Sequence, residues 1–211
     1  RVIEAFDISN ISGTYSVAGM VCFVDGMPAR TRYRRFKIKT VSGTNDTGMM
    51  AETVRRRFSR LKAENGTPPD LLLVDGGAGQ LNAARNELSS LSMNSIPSAG
   101  LAKRLEEIYT GTGKRPVRLP RDSSALMMLQ RLRDEAHRFA LAYHRNLRTR
   151  RIRESILDEV PGIGHKRKED LLKHFGSAGR LVSATEDEIA QTPGIGRRTA
   201  AAIHCVLQKG K

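Results

Sequence analysis

A short apolar run that ends in an aspartate and two glycines constrains the fold of this chain most. The run covers residues 71–74 and is followed by Asp75, Gly76 and Gly77. Consecutive apolar residues between turn signals are typical of a buried strand in an α/β sheet. Asp75 would then lie at the carboxyl end of the strand, the edge where open α/β sheets bind ligands. A turn aspartate that caps the next helix is the alternative interpretation.

A second apolar run, near the start of the chain, ends in the same way. Residues 2–8 are mainly apolar, which indicates another core strand, and Asp7 lies close to its end. Carboxylate oxygens are the ligands that Mg²⁺ and Mn²⁺ prefer. The sequence therefore predicts that Asp7 and Asp75, held on two core strands, bind a divalent metal ion.

Further strands are predicted after the first one. Residues 14–24 favour a strand, and Asp25 with Gly26 predicts a hairpin into a third strand over residues 29–39. Arginines alternate along that third strand, where they would either protect a sheet edge or face phosphates. The sequence leaves both explanations open. These alternating arginines are Arg30, Arg32 and Arg34.

Helices are predicted around these strands. The first covers residues 49–63, with an inner stripe of apolar side chains and an arginine-rich outer surface that includes Arg57. A second is expected over residues 80–91, followed by a strand over 98–103 and a hairpin or loop over 106–117. A long helix starts near residues 120–124, and its buried stripe comprises Leu126, Leu129, Leu132, Ala136, Phe139, Ala140, Tyr143 and Leu147.

Two polar residues in these segments have both a structural and a functional interpretation. Asp46 precedes the first helix, where an acidic side chain often serves only as a cap. His137 lies at the margin of the apolar stripe of the long helix, where a histidine is usually structural. The pattern of the residues alone does not decide between these roles.

The last quarter of the chain contains an internal repeat. Pro-Gly-Ile-Gly occurs at residues 161–164 and again at 193–196, each between two predicted helices. Glycines at a helix start let a phosphate approach the backbone N–H groups, and basic side chains beside them add charge. An ordinary helical hairpin, the alternative, would need only one glycine and no basic cluster. The sequence thus predicts two DNA-backbone contacts made by Gly162, Gly164, Lys166, Arg167, Lys168, Gly194, Gly196, Arg197 and Arg198.

The charge of the chain indicates a polyanionic partner. There are 36 lysines and arginines against 22 acidic residues, which gives a net charge of +14. Residues 151–211 hold 11 basic and 8 acidic residues, so most of the surplus belongs to residues 1–150. We expect the larger domain to contact nucleic acid itself.

Other features of the sequence indicate the cellular compartment and whether the chain is part of a longer protein. No run is apolar enough for a membrane span, and there is no signal peptide. Cys22 and Cys205 are far apart and lack the companions of a zinc site, which favours free thiols in a reducing cytoplasm. Because Arg1 directly precedes a strand, we expect the chain to be cut from a longer protein.

Several motifs, in this order, resemble the UvrC family of bacterial nucleotide excision repair. They are Ala5 to Asn10, Tyr33 to Phe36, Val74 to Gln80, Arg133 to Ala140 and the tandem Pro-Gly-Ile-Gly repeat. The resemblance covers essentially the whole chain and is closest to the C-terminal half of the family. One departure is Ala78, which stands where the family commonly has lysine.

The resemblance implies a fold, a reaction and partners. The fold would be a ribonuclease H-like α/β domain, with a mixed sheet and flanking helices, over residues 1–148. A linker over 149–154 and a small all-α tandem helix-hairpin-helix domain over 155–211 would follow. By resemblance, Asp7, Asp75 and His137 form the catalytic triad for the incision 5′ to a lesion, and Asp46 is a further carboxylate implicated in it.

The cofactor would be Mg²⁺ or Mn²⁺, with Asp7 and Asp75 as ligands and His137 as base or third ligand. The expected partners are duplex DNA, UvrB and the UvrA–UvrB damage-recognition system. Two other functions are compatible with the motifs: a DNA-binding or docking module with an inert ribonuclease H-like domain, and an RNA nuclease of the same fold.

Overall fold

A computed structural model describes residues 1–10, 16–103, 105–111, 115–158, 160, 163–176 and 178–209. The chain forms two compact units, Arg1–His144 and Arg145–Lys211. The first unit is built around a sheet and the second is helical. None of the described helices is long and apolar enough to cross a membrane.

Seven strands of the described part form one mixed sheet in the order β3-β2-β1-β5-β6-β7, with β4 also paired to β2. The ladders β1–β5 and β5–β6 are parallel, and the other ladders are antiparallel. The central position of β1 and β5 confirms that the two aspartate-bearing runs are core strands. The strands are β1 (Val2–Ser9), β2 (Val17–Val24), β3 (Met27–Pro28), β4 (Arg34–Lys37), β5 (Leu71–Asp75), β6 (Ser98–Ala102) and β7 (Glu107–Tyr109).

Helices cover both faces of this sheet. One face packs its apolar side chains, among them Phe6 and Val74, against α1 (Asp46–Ala63) and α2 (Ala78–Ser90). The other face, with Ala5 and Leu73, packs against the first part of α3 (Ser124–Asp158). Because side chains alternate along a strand, the residues that follow Phe6 and Val74 face α3. Asp7 and Asp75 therefore lie on the α3 side.

The hairpin after β2 forms as predicted, but the strand that follows is interrupted. Asp25 and Gly26 both have positive φ, which the turn of a tight two-residue hairpin requires. The predicted single strand over residues 29–39 is wrong: β3 ends at Pro28, a 3₁₀ turn follows, and β4 resumes the pairing. Pro28 still pairs with Phe23, and the N–H of Ala29 still donates to the carbonyl oxygen of Cys22, so the ladder ends where the 3₁₀ turn begins at Arg30.

Two helices begin earlier than the sequence predicted. The predicted start of α1 was residue 49, but the helix begins at Asp46, because the side chain of Asn45 caps it by accepting a hydrogen bond from the N–H of Gly48. The sequence placed the start of α2 at residue 80, whereas it begins at Ala78, after the N-cap Gly77. On α1, Arg57 is not on the outer surface, because it forms a 2.6 Å ion pair with buried Glu4.

The segment 149–154, predicted as a linker, is helical in the structure. It lies within α3, which continues to Asp158. Arginine and glutamate dominate this segment and are good helix formers, so the missing apolar periodicity does not end the helix.

In the described part of the second unit, four helices follow α3 and surround a separate hydrophobic core. They are α4 (His165–Phe175), α5 (Ala178–Ser183), α6 (Glu186–Ala190) and α7 (Arg197–Lys209). Leu171, Ile189 and Ile203 are fully buried in this core. Thr185 and Glu188 form a capping box at the start of α6. Helices α4 and α7 each begin directly after a Pro-Gly-Ile-Gly repeat, as the sequence predicted.

The backbone of α3 packs directly against Gly19 on β2. A Cβ atom at Gly19 would lie 3.0 Å from the backbone nitrogen of Ala140 and 3.1 Å from its Cα and Cβ atoms. The neighbour of Gly19 on β1 is Asp7. The position of α3 over the sheet thus depends on a glycine beside the aspartate.

We expect Gly19→Ala to lower the free energy of unfolding by about 1–3 kcal/mol, because the added methyl group overpacks a backbone contact. Gly79→Ala on α2 is the matched control, since its nearest neighbour to a new Cβ is Thr47 Cγ2 at 3.5 Å. The control should be neutral or slightly stabilising. Denaturant unfolding measures both, and equal values for the two variants would contradict the expectation.

Candidate metal centre

Asp7 and Asp75 lie side by side at the centre of the sheet. Phe6 pairs with Val74 in the parallel ladder of β1 and β5, and the two aspartates are the next residues on their strands. Their side chains are only 6% and 5% exposed. The two core strands therefore bring two carboxyl groups together in a place that water barely reaches.

His137 reaches these carboxyl groups from α3. Its Nδ1 atom lies 3.0 Å from Asp7 Oδ2 and 3.9 Å from Asp75 Oδ2, and its side chain is 41% exposed. One ligand atom from each of the three residues lies within 4.8 Å of the others. Among the described residues this is the one group of three or more such side chains that could hold a metal ion.

A fourth side chain at this site, Lys103, was missed by the sequence analysis. It follows β6, the neighbour of β5, and its Nζ atom lies 3.0 Å from Asp75 Oδ2 and 3.3 Å from His137 Nδ1. Lys103 lies about thirty residues from either partner along the chain, and nothing in the local pattern marks it. Only the register of the parallel strands β5 and β6, in which Asp75 pairs with Leu101, could have indicated that Lys103 lies near Asp75.

The pairing of the two carboxyl groups changes how Asp7 ionises. Burial, together with the facing carboxyl group of Asp75, raises the pKa of Asp7 from its usual 3.8 to about 8. The ammonium group of Lys103 opposes this shift but does not cancel it. Two carboxylates so close and so buried are not both ionised unless a cation compensates them.

The donor set fits a divalent cation. Asp75 Oδ2 is buried in this cluster, with Lys103 Nζ 3.0 Å and His137 Nδ1 3.9 Å from it. Burial lowers the pKa of His137, and Lys103 lowers it further against the opposing effect of Asp75. The imidazole is therefore neutral near pH 7 and has a lone pair to give. Two hard oxygen donors and a neutral nitrogen are suitable ligands for such an ion.

Asp46 is not part of this cluster. It is exposed at the first turn of α1, and the capping role that the sequence left open belongs to Asn45 instead. Asp46 is still near enough to contribute a small rise to the pKa of Asp7. Its position gives it an electrostatic influence on the site without direct contact with the three clustered side chains.

The predicted DNA-contacting residues of the second unit lie at helix starts. Gly164 is the N-cap of α4 with no side-chain hydrogen bond, and a Cβ at Gly164, Gly194 or Gly196 would meet no atom within 4 Å. The basic residues occupy the first turns of α4 and α7: Lys166, Arg167 and Lys168, and Arg197 and Arg198. Gly162 lies outside the described residues.

The family of the chain follows from comparison with known proteins. Residues 1–141 match the family described as the UvrC RNase H endonuclease domain, and residues 154–209 match the SAM-like helix-hairpin-helix tandem. Fold and site thus define a ribonuclease H-like nuclease domain followed by a tandem helix-hairpin-helix domain. The chain belongs to the UvrC family.

Curated relatives carry the name UvrABC system protein C. The protein from Methanosphaera stadtmanae is 48% identical, with 99% of this chain and 36% of the relative covered. That from Methanococcoides burtonii is 50% identical, with 95% and 33% covered. The chain spans about a third of the length of these relatives.

Among solved structures, Endonuclease V of Ciona intestinalis in complex with DNA is similar over part of the chain. It is 21% identical with a TM-score of 0.37, and 50% of this chain and 47% of that one are covered. A likeness at this level identifies neither an activity nor a site.

For the metal-free protein we expect Asp7→Asn to raise the melting temperature, and more at pH 8 than at pH 5. The pKa of Asp7 is raised in the folded state, so wild-type stability falls as the pH rises from about 4 to about 8. Asparagine does not ionise, so its burial does not lower the stability as the pH rises. We expect a gain of about 1–3 kcal/mol at pH 8, or several degrees for a chain of this size.

Thermal unfolding in the presence of a chelator measures this difference. Asp46→Asn, at an exposed position, is the control and should leave the melting temperature almost unchanged at both pH values. A gain for Asp7→Asn that does not depend on pH would contradict the expected charge conflict.

We expect Lys103→Met to tighten the binding of Mn²⁺ about tenfold. The ammonium group lies 3.0 Å from a carboxylate oxygen of the site, and its removal ends the repulsion of a divalent cation. Isothermal titration calorimetry measures the affinity. Lys62→Met, on the α1 side of the sheet, removes the same charge and should change nothing. Equal affinities for both variants would show that Lys103 does not oppose the metal.

Proposed function

We propose that this chain carries the catalytic centre of a metal-dependent DNA endonuclease that makes the incision 5′ to a lesion in nucleotide excision repair. The observation that carries the proposal is the cluster of Asp7, Asp75 and His137, with ligand atoms within 4.8 Å, in a member of the UvrC RNase H endonuclease family. An inert domain would have no need to bury two facing carboxyl groups at this cost.

Asp7 and Asp75 are the proposed ligands of Mg²⁺ or Mn²⁺. When bound, such an ion supplies Lewis acidity: it lowers the pKa of a water molecule and neutralises charge on the phosphate. The two aspartates fix its position because they lie on neighbouring core strands and have almost no freedom to move. Beside a bound cation both carboxyl groups would be ionised, although burial and the facing carboxyl group raise the pKa of Asp7 without one.

His137 is proposed either to accept the proton of the attacking water or to complete the ligand set. Its lowered pKa keeps the imidazole neutral near pH 7, which both roles require. The side chain is 41% exposed, so a phosphodiester and water can reach it. Lys103 is half exposed beside it and is placed to stabilise the negative charge that develops on the phosphate.

The second unit is proposed to hold duplex DNA by its backbone. Gly164, Gly194 and Gly196 leave the starts of α4 and α7 open, so that phosphate oxygens can approach N–H groups there. Gly162 is proposed to do the same in the first repeat. The basic residues beside them add a sequence-independent, salt-sensitive attraction: Lys166, Arg167, Lys168, Arg197 and Arg198.

Partners and compartment complete the proposal. The relatives are named as components of a UvrABC system, so we infer that UvrB, with the UvrA–UvrB damage-recognition system, delivers the nuclease to a lesion. We also infer that it acts in the cytoplasm, where the free thiols Cys22 and Cys205 would remain reduced.

The test is nicking of a lesion-containing duplex by the full-length protein with its loading partners and Mg²⁺ or Mn²⁺. Asp7→Ala and His137→Ala should each lower the rate of the 5′ nick at least about a hundredfold while duplex binding is retained. Asp46→Ala should have a smaller effect, because Asp46 lies outside the cluster. Arg55→Gln, an exposed change on α1, controls for general damage to the protein.

The result also separates this proposal from its alternatives. Undiminished nicking in both variants would place the chemistry elsewhere and leave this domain as a DNA-docking platform. Preferential cleavage of an RNA–DNA hybrid over duplex DNA would instead support a nuclease that acts on RNA.

A further inference from the structure

One row of residues crosses the sheet and links the metal centre to an exposed arginine. Asp7 on β1 pairs with Gly19 on β2, and Gly19 pairs with Arg35 on β4. Paired residues of neighbouring strands point to the same side of a sheet, so Arg35 faces α3 as Asp7 does. Two strand spacings separate their Cα atoms, which is about 10 Å.

Arg35 is held in place by aromatic side chains of α3. Its guanidinium carbon lies 4.8 Å from the ring centre of Phe139 and 5.4 Å from that of Tyr143. Tyr33, two residues earlier on the same side of the strand, meets Phe139 edge-on at 5.1 Å. The guanidinium group therefore lies against two aromatic rings of α3: that of Phe139, two residues after His137, and that of Tyr143, one turn after Phe139.

The charge of Arg35 is not used inside the protein. Among the described residues, no carboxylate forms an ion pair with it, and the residue is exposed. The nearest acidic residue on that stretch of α3, Glu135, is bound instead by Arg138 at 2.7 Å and by the hydroxyl group of Tyr33 at 3.1 Å. The guanidinium N–H groups of Arg35 are thus available to an external anion.

Edge protection explains this arrangement less well. β4 pairs only with β2 and is a true sheet edge, so charged side chains there do hinder association with another strand. To protect a sheet edge, a side chain needs only a charge of either sign, and its charged group does not have to be held in one orientation. A cation stacked on two rings loses little entropy when it binds a phosphate, and arginine matches phosphate with a fork of donors.

We propose that Arg35 binds a backbone phosphate of the strand whose cleaved phosphate lies at Asp7 and Asp75. The separation of about 10 Å places this phosphate within about three nucleotides of the cleaved one, at 3.4 Å of rise per nucleotide. Arg35 is then a positioning residue that sets how the strand enters the metal centre. The inference rests on the proposed nuclease function for the identity of the ligand.

The experiment measures binding of the full-length protein to a labelled duplex at several salt concentrations, together with nicking by the loaded complex. Arg35→Gln should weaken binding about tenfold and lower the slope of log affinity against log salt by about 1. Arg35→Lys, which keeps the charge but loses the fork and the stacking, should retain the slope and recover part of the affinity.

Arg55→Gln is the matched control, because it removes the same charge from an exposed residue of α1, on the opposite side of the sheet. The inference is overturned if Arg35→Gln and Arg55→Gln have the same affinity and salt slope. It is equally overturned if the lysine variant shows the slope of the glutamine variant, since the loss would then come from packing and not from charge.

The two proposals fail separately. If Asp7→Ala abolishes nicking while Arg35→Gln behaves like the control, the nuclease proposal stands and the phosphate contact is wrong. The other case is that Arg35→Gln lowers the slope of log affinity against log salt while Asp7→Ala still nicks normally. Arg35 would then bind DNA without positioning it at this metal centre, and the inference as stated would be wrong.

Discussion

The metal centre of the first unit depends on the close contact between α3 and the sheet at Gly19. Because Gly19 has no Cβ, the backbone of Ala140 rests directly on β2. This fixes His137, three residues earlier, at 3.0 Å from Asp7. It also brings Phe139 over Arg35. The metal centre and the proposed phosphate contact therefore depend on the same van der Waals contact, and a shift of the helix would disturb both.

The metal centre lowers the stability of the folded chain. Two carboxyl groups are buried side by side, and the pKa of Asp7 rises to about 8 as a consequence. The protein compensates only in part, with the half-exposed ammonium group of Lys103 on the neighbouring strand. Such uncompensated charge is characteristic of functional sites, where ligand binding and not the folded chain provides the balance.

Sequence patterns predicted the parts of this fold that depend on short-range periodicity. The apolar strands, the hairpin at Asp25 and Gly26 and the repeat behind α4 and α7 all formed. The predictions were wrong where residues far apart in the chain determine the local structure. Arg57 looked like a surface residue but pairs with Glu4, 53 positions away, and the long third strand broke after Pro28. Neither outcome follows from the neighbours of these residues in the chain.

The sequence by itself determined that two aspartates end two core strands and that the chain carries a strong positive charge. Apolar periodicity is a local property and net charge is a sum over residues, so both follow from the sequence without knowledge of the fold. Only the tertiary structure decided that Lys103 joins those aspartates and His137, which the family resemblance had implied, and that Arg35 shares the row of Asp7. Those relations depend on strand order, register and the crossing of α3, which are set by packing between segments far apart in the chain.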